Sequence, residues 1–129
     1  MTAELLILLV ALTFYPTMPE ADFVHYAAEI CAHQYEIDPA YLWCIGQKES
    51  DWNPRAYNRA EGAAGLFQWK KEPWRVARRA MGANPDLNLR FDPIENIVTT
   101  CYAMQRGWQW WVNADALCKA YVDKNAGLE

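Results

Sequence analysis

At 129 residues the chain has the length of one domain, enough to bury a real core without a second lobe. Apolar residues make up 53% and charged residues 22%, the balance of a folded globular protein rather than a disordered tail. The formal net charge of -4 excludes the overall excess of Lys and Arg that duplex binding needs, so no nucleic-acid partner is expected.

The first element is an uncharged run from Leu5 to Tyr15, closed by Pro16. As a helix it would be roughly 16 Å long, about half a hydrocarbon core, and it cannot span a bilayer alone. Glu4 stands where a signal peptide carries Lys or Arg, and no small-x-small cleavage site follows. Three readings remain open, in this order: an uncleaved membrane-associating anchor, an atypical signal sequence, and a packed core helix. Residues 1–18 are accordingly set apart as a short hydrophobic segment ahead of a single domain over 19–129.

Beyond Pro16 the punctuation is helical. Phe23, Ala27, Ile30, Cys31 and Gln34 recur at three- and four-residue steps, which predicts an amphipathic helix from about Glu20 to Tyr35. Asp38 followed by Pro39 reads as an N-cap and first helical position, opening a helix to about Glu49 that Asn53 and Pro54 stop. Arg55 to Trp69, with Gly62 and Gly65 and no clean period, reads as an ordered loop holding at most a helical turn or hairpin. Pro73 opens a short helix closed by Gly82, and Asn84 to Arg90 is connection. Asp92 and Pro93 repeat the cap-then-proline signal, ahead of an apolar face of Ile94, Ile97, Val98, Cys101 and Met104 that ends at Gly107. A last helix runs from about Asn113 to Asp123. The expected class is all-α.

Charge is uneven along the chain, -6 over residues 1–47, +4 over 48–90 and -2 over 91–129. Lys70, Lys71, Arg75, Arg78 and Arg79 suit either an anionic ligand or an ordinary solvated helix face. Seven Trp, seven Tyr and four Phe bury much area and also offer faces for sugar rings. Trp108, Trp110 and Trp111 fit a glycan platform, a membrane-interface belt or core packing. Cys31, Cys44, Cys101 and Cys118 allow three complete pairings. If consecutive helices pack as antiparallel hairpins, Cys31 meets Cys44 and Cys101 meets Cys118, which would imply an oxidising compartment. His25, His33 and Cys31 share a helix without metal-site spacing, and no Cys-x-x-Cys occurs, so neither metal nor cofactor is expected.

Glu49 is the candidate for chemistry. It ends the Pro39 helix, where unpaired carbonyls penalise a carboxylate, and Trp52, Phe67, Trp69 and Tyr121 are available to desolvate it. Both effects raise a pKa, as a general acid near neutral pH requires. On these grounds alone a surface Glu at a frayed helix end is the more natural reading.

The surrounding text decides between them. Glu49-Ser50-x-Trp52-Asn53-Pro54-x-Ala56, then Gly62-Ala63-Ala64-Gly65-Leu66-Phe67-Gln68, closely resembles the paired signature of the lytic transglycosylases of the lysozyme superfamily. Asp92-Pro93-x-x-Asn96-Ile97 matches that family's third segment. The resemblance covers about residues 38–127 and implies an all-α, lysozyme-like domain. It implies peptidoglycan as partner and cleavage of the β-1,4 bond between N-acetylmuramic acid and N-acetylglucosamine. Glu49 would protonate the glycosidic oxygen and then, ionised, take the proton of the muramyl C6 hydroxyl as a 1,6-anhydro ring closes. One carboxyl suffices because the nucleophile is internal, unlike the two-carboxylate hydrolases.

Carried over residue by residue, the resemblance puts Ser50, Gln68, Phe67 and Asn96 at the substrate. The fourth family segment, Ala-Tyr-Asn-Ala-Gly, is interrupted: Tyr121 is followed by Val122, Asp123 and Lys124 before Asn125-Ala126-Gly127. Tyr121 is the expected tyrosine near the acid, and Asn125 is displaced from the pattern. The rival readings are a hydrolase of the goose-lysozyme kind, with Glu61 or Asp51 positioning water, and a non-catalytic wall-binding or structural module. The expected location is outside the cytoplasm at the cell wall, whether membrane-associated in a phage virion or periplasmic and secreted.

Overall fold

The computed structural model describes residues 2–14, 18–108 and 111–125. In chain order these form α1 (Ala3–Phe14), α2 (Glu20–Gln34), α3 (Pro39–Ser50), the two-residue strands β1 (Tyr57–Asn58) and β2 (Ala63–Ala64), α4 (Lys71–Ala80), a 3-10 turn over Leu87–Phe91, α5 (Pro93–Gln105) and α6 (Val112–Asn125). The class is all-α, as the periodicity predicts.

Both cap-then-proline signals hold. The Asp38 carboxylate accepts the Ala40 N–H at 2.8 Å, and Asp92 accepts those of Ile94 and Glu95 at 3.0 and 3.1 Å, satisfying donors that a helix start leaves orphaned. α4 begins two residues before Pro73, because a proline is tolerated in a first turn whose N–H groups have no partner within the helix. The stretch read as plain connection contains the 3-10 turn, capped by Asp86 on the Asn88 N–H at 2.9 Å. So short an element carries no apolar period to detect. The ordered loop contains a small antiparallel hairpin pairing Tyr57 with Ala64 and Asn58 with Ala63.

α5 is the axis of the core. Its Ile97, Val98, Cys101 and Ala103 are buried against Val24, Ala27 and Cys31 of α2 and share one cluster with Leu42 and Ile45 of α3. Trp69, Trp74 and Trp111 fill the space beside it, with Trp69 edge-on to Trp74 at 5.7 Å and to Trp111 at 5.2 Å. Much of the aromatic excess is therefore packing. Trp108 packs half-buried at the rim, and Trp110 lies outside the described residues. α1 packs on α2 and α5 through Ala3 and Ile7 and leaves Leu5, Leu8 and Leu9 exposed. Tyr15 and Pro16, the end of the apolar run, lie outside the described residues.

The cysteines correct the expected pairing. The disulfide joins Cys44 to Cys118, with Cα atoms 5.6 Å apart, while Cys31 and Cys101 are buried free thiols. The reason is which helix each cysteine faces: α2 packs on both α3 and α5, but Cys31 is turned to α5, with Sγ 4.0 Å from the Ile97 carbonyl, while Cys44 of α3 is turned to α6, so the bridge joins distant segments. Cys31 and Cys101 meet in the α2 and α5 interface, where burial first and the neighbouring Cys31 second push the Cys101 thiol well above its ordinary pKa. The pairs Cys31 with Cys44 and Cys101 with Cys118 are not formed.

Candidate active site

Glu49 sits in the last turn of α3, half-buried, with no hydrogen bond or ion pair to another described residue. Its pKa is raised, by burial first and by the negative charge of Glu61 second. An uncommitted carboxyl that partial desolvation makes slower to give up its proton as pH rises is what a general acid needs.

The backbone around it is unusual. Asp51 and Trp52 follow α3 in the left-handed region at φ 54° and 58°, and Gln68 is there too at φ 51°. Such conformations cost non-glycine residues of order 1 to 3 kcal/mol each and concentrate at functional sites. The double left-handed turn lays the Trp52 indole on Gly46, where a Cβ would stand 2.6 Å from the ring. Trp52 also donates from Nε1 to the Trp43 carbonyl at 3.1 Å and meets Phe67 edge-on at 5.7 Å. Ser50 ties the two signature segments together. Its Oγ donates to the Leu66 carbonyl at 2.8 Å and accepts from the Asn53 N–H at 3.2 Å.

The glycine-rich segment is clamped from below. Gly65 has φ 83°, and a Cβ there would lie 2.0 Å from the Arg90 carbonyl and 2.3 Å from Asn96 Nδ2, so only glycine fits. Asn96 is fully buried. It accepts the Phe67 N–H at 3.2 Å and donates to the Arg90 carbonyl at 2.7 Å. Arg90 is buried as well and donates to the carbonyls of Gly62 and Trp69, each at 2.9 Å. Trp111 Nε1 donates to the Phe67 carbonyl at 2.7 Å. The loop so fixed presents Gln68, whose Nε2 donates to the carbonyls of Gly65 at 2.9 Å and Ala56 at 3.2 Å. Its Oε1 has no partner among the described residues and can accept from a ligand.

The residues expected at a substrate therefore divide. Glu49 and Gln68 are half-buried groups with free polar atoms. Asn96 and Phe67, both expected at the substrate, are 0% exposed and form the underside of the loop that Gln68 tops. Ser50 has its hydroxyl engaged by backbone. Tyr121 is 54% exposed on α6, and its hydroxyl bonds to no described residue. Asn125 donates to the Tyr121 carbonyl at 2.7 Å, while Ala126 and Gly127 lie outside the described residues.

Sequence reasoning missed the supports. Arg78, grouped with the solvated cations, is only 2% exposed, pairs with Glu95 at 2.6 Å and donates to the Asn84 carbonyl and the Thr99 hydroxyl. Its place one helical turn after Trp74, on the buried face of α4, was the available signal. Gly46 and Arg90 carried none beyond their nearness to the signatures. Among the described residues no group of three or more His, Cys, Asp or Glu is arranged to hold a metal ion.

Comparison with curated proteins and with solved structures finds no match. A family model described as the Transglycosylase SLT domain matches residues 27–128. That span starts within α2 and takes in Glu49, the clamped glycine loop and the α5 residues that clamp it. The chain thus belongs to the transglycosylase SLT domain family, the lytic transglycosylases of peptidoglycan within the lysozyme-like superfamily.

Proposed function

We propose that the protein cuts the β-1,4 bond between N-acetylmuramic acid and N-acetylglucosamine and leaves a 1,6-anhydromuramyl end. Glu49 gives its proton to the glycosidic oxygen as the C1–O bond breaks. The resulting carboxylate takes the proton of the muramyl C6 hydroxyl, whose oxygen closes on C1. Gln68 accepts a hydrogen bond from the sugar through Oε1. The observation that carries this reading is the half-buried Glu49 carboxyl, unpaired and with a raised pKa. Mass spectrometry of digested peptidoglycan is expected to find muramyl ends one water lighter than those of a hydrolase.

One observation favours a second reading. The charge of Glu61 raises the Glu49 pKa, and a second carboxylate acting with the acid is what the two-carboxylate hydrolases use, which makes Glu61 the candidate to position water. Digests containing only reducing muramyl ends would establish that reading and remove the first.

The enzyme acts on the cell wall, outside the cytoplasm, in phage penetration or lysis or in bacterial wall remodelling. The Cys44–Cys118 disulfide supports an oxidising compartment. No described helix is long and apolar enough to cross a membrane. α1 is anchored in the core through Ala3 and Ile7, and on its outer face the exposed Leu5, Leu8 and Leu9 recur at three- and four-residue steps and support lying on a membrane surface. Liposome flotation is expected for the full chain and lost on replacing all three leucines by Ser. Failure of the full chain to float would remove the membrane from its function.

A further inference from the structure

Beside Gln68 lies a cavity of about 120 Å³, lined by Gln68, Trp69, Lys70, Pro73 and Trp111. Its walls are stiff. Trp111 is 5% exposed, bonded to the Phe67 carbonyl and edge-on to Trp69. The volume corresponds to about four waters at ~30 Å³ each, the size of a ring substituent. Lys70 is the one charged side chain among the described residues lining it. It is exposed, and its ammonium makes no ion pair or hydrogen bond with another described residue, which leaves it open to a ligand.

Resting on the reading of Gln68 as a sugar contact, we propose that this cavity takes the lactyl substituent of the muramyl residue and that Lys70 is a specificity residue for the carboxylate it bears. The lactyl ether carries a methyl and a carboxyl on one carbon. The indoles of Trp69 and Trp111 suit the methyl. The ammonium of Lys70 suits a carboxylate, either the lactyl group's own, where the stem peptide has been removed, or the first one of a stem peptide still attached. N-acetylglucosamine has a plain hydroxyl at that ring position, so the pocket also tells the two alternating sugars apart and fixes which bond faces Glu49.

Binding to insoluble glycan strands tests this, measured with the Glu49→Gln background so that no turnover intervenes. Three strand preparations separate the sources: stem peptides intact, stem peptides removed by an amidase, and removed with the lactyl carboxyls then converted to neutral amides. Lys70→Met is expected to weaken binding roughly three- to tenfold on a carboxylate-bearing strand, the range of an exposed ion pair. The loss should fade at high salt and be absent on the amidated strands. Loss on peptide-free strands assigns the lactyl carboxylate; loss on intact strands alone assigns the stem peptide. Lys71→Met, exposed and outside the cavity, is the control and should bind as the parent does. Equal affinity of Lys70→Met and parent on every strand, or an equal loss on the amidated ones, overturns the proposal. Neither result touches the role of Glu49, which the muramyl product reads separately.

Discussion

Replacing Glu49 by Gln is expected to end peptidoglycan cleavage while the fold and glycan binding persist. The amide keeps the shape of the side chain but has no proton to donate, and positioned acid-base help is typically worth ~10² to 10⁴ in rate. Because the Glu49 carboxyl bonds to no described residue, the exchange breaks no internal contact, and circular dichroism should match the parent. The pH profile follows from the same environment. A raised pKa keeps the acid form present to higher pH, so kcat/KM should fall as pH rises through that value. Removing the second cause of the shift, by Glu61→Gln, should move this alkaline limb to lower pH. Substantial activity in Glu49→Gln would take the residue out of the mechanism. An alkaline limb unmoved in Glu61→Gln would mean that the Glu61 charge does not act on the proton that matters.

What was legible in the sequence was what short-range physics writes into short-range text. The helices announced themselves through caps at Asp38 and Asp92 and through apolar steps of three and four. Glu49, Gly65 and Gln68 were marked by the spacing of their signatures. Roles that depend on which way a side chain turns were not marked. Asn96 carries the motif's identity, yet it faces inward and serves Phe67 and Arg90. An exposed and a buried Asn read alike in a string. Arg78 was hidden for a related reason: a cation counts as surface until its partner, Glu95, is known to lie across the α4 and α5 contact. Tyr121 shows the converse: α6 runs on to Asn125 and the phenol lies at the surface, which the motif text does not mark.

Removal of the Cys44–Cys118 bridge is expected to have the largest effect on stability. The two residues are 74 apart in sequence, and on the chain-entropy model a closed loop of that size stabilises by about 4 kcal/mol, through loss of freedom in the unfolded chain. For a domain of this length that corresponds to a melting temperature lower by roughly 10 to 20 °C. Cys44→Ala with Cys118→Ala should show this shift. The parent should show it too on reduction. The Cys31→Ala and Cys101→Ala pair, which removes two buried thiols but no covalent link, keeps the bridge and should still lose stability on reduction, whereas the bridgeless variant should melt the same with and without reductant. The bridge also anchors α3, whose last turn carries Glu49, to α6. Cleavage by the bridgeless variant should therefore fail at a lower temperature than that of the parent, in step with its melt. Non-reducing peptide mapping decides the premise. A peptide joining Cys44 to Cys118 is expected, and recovery of Cys31 linked to Cys44 would restore the hairpin pairing and overturn the packing of α3 against α6 on which the argument stands.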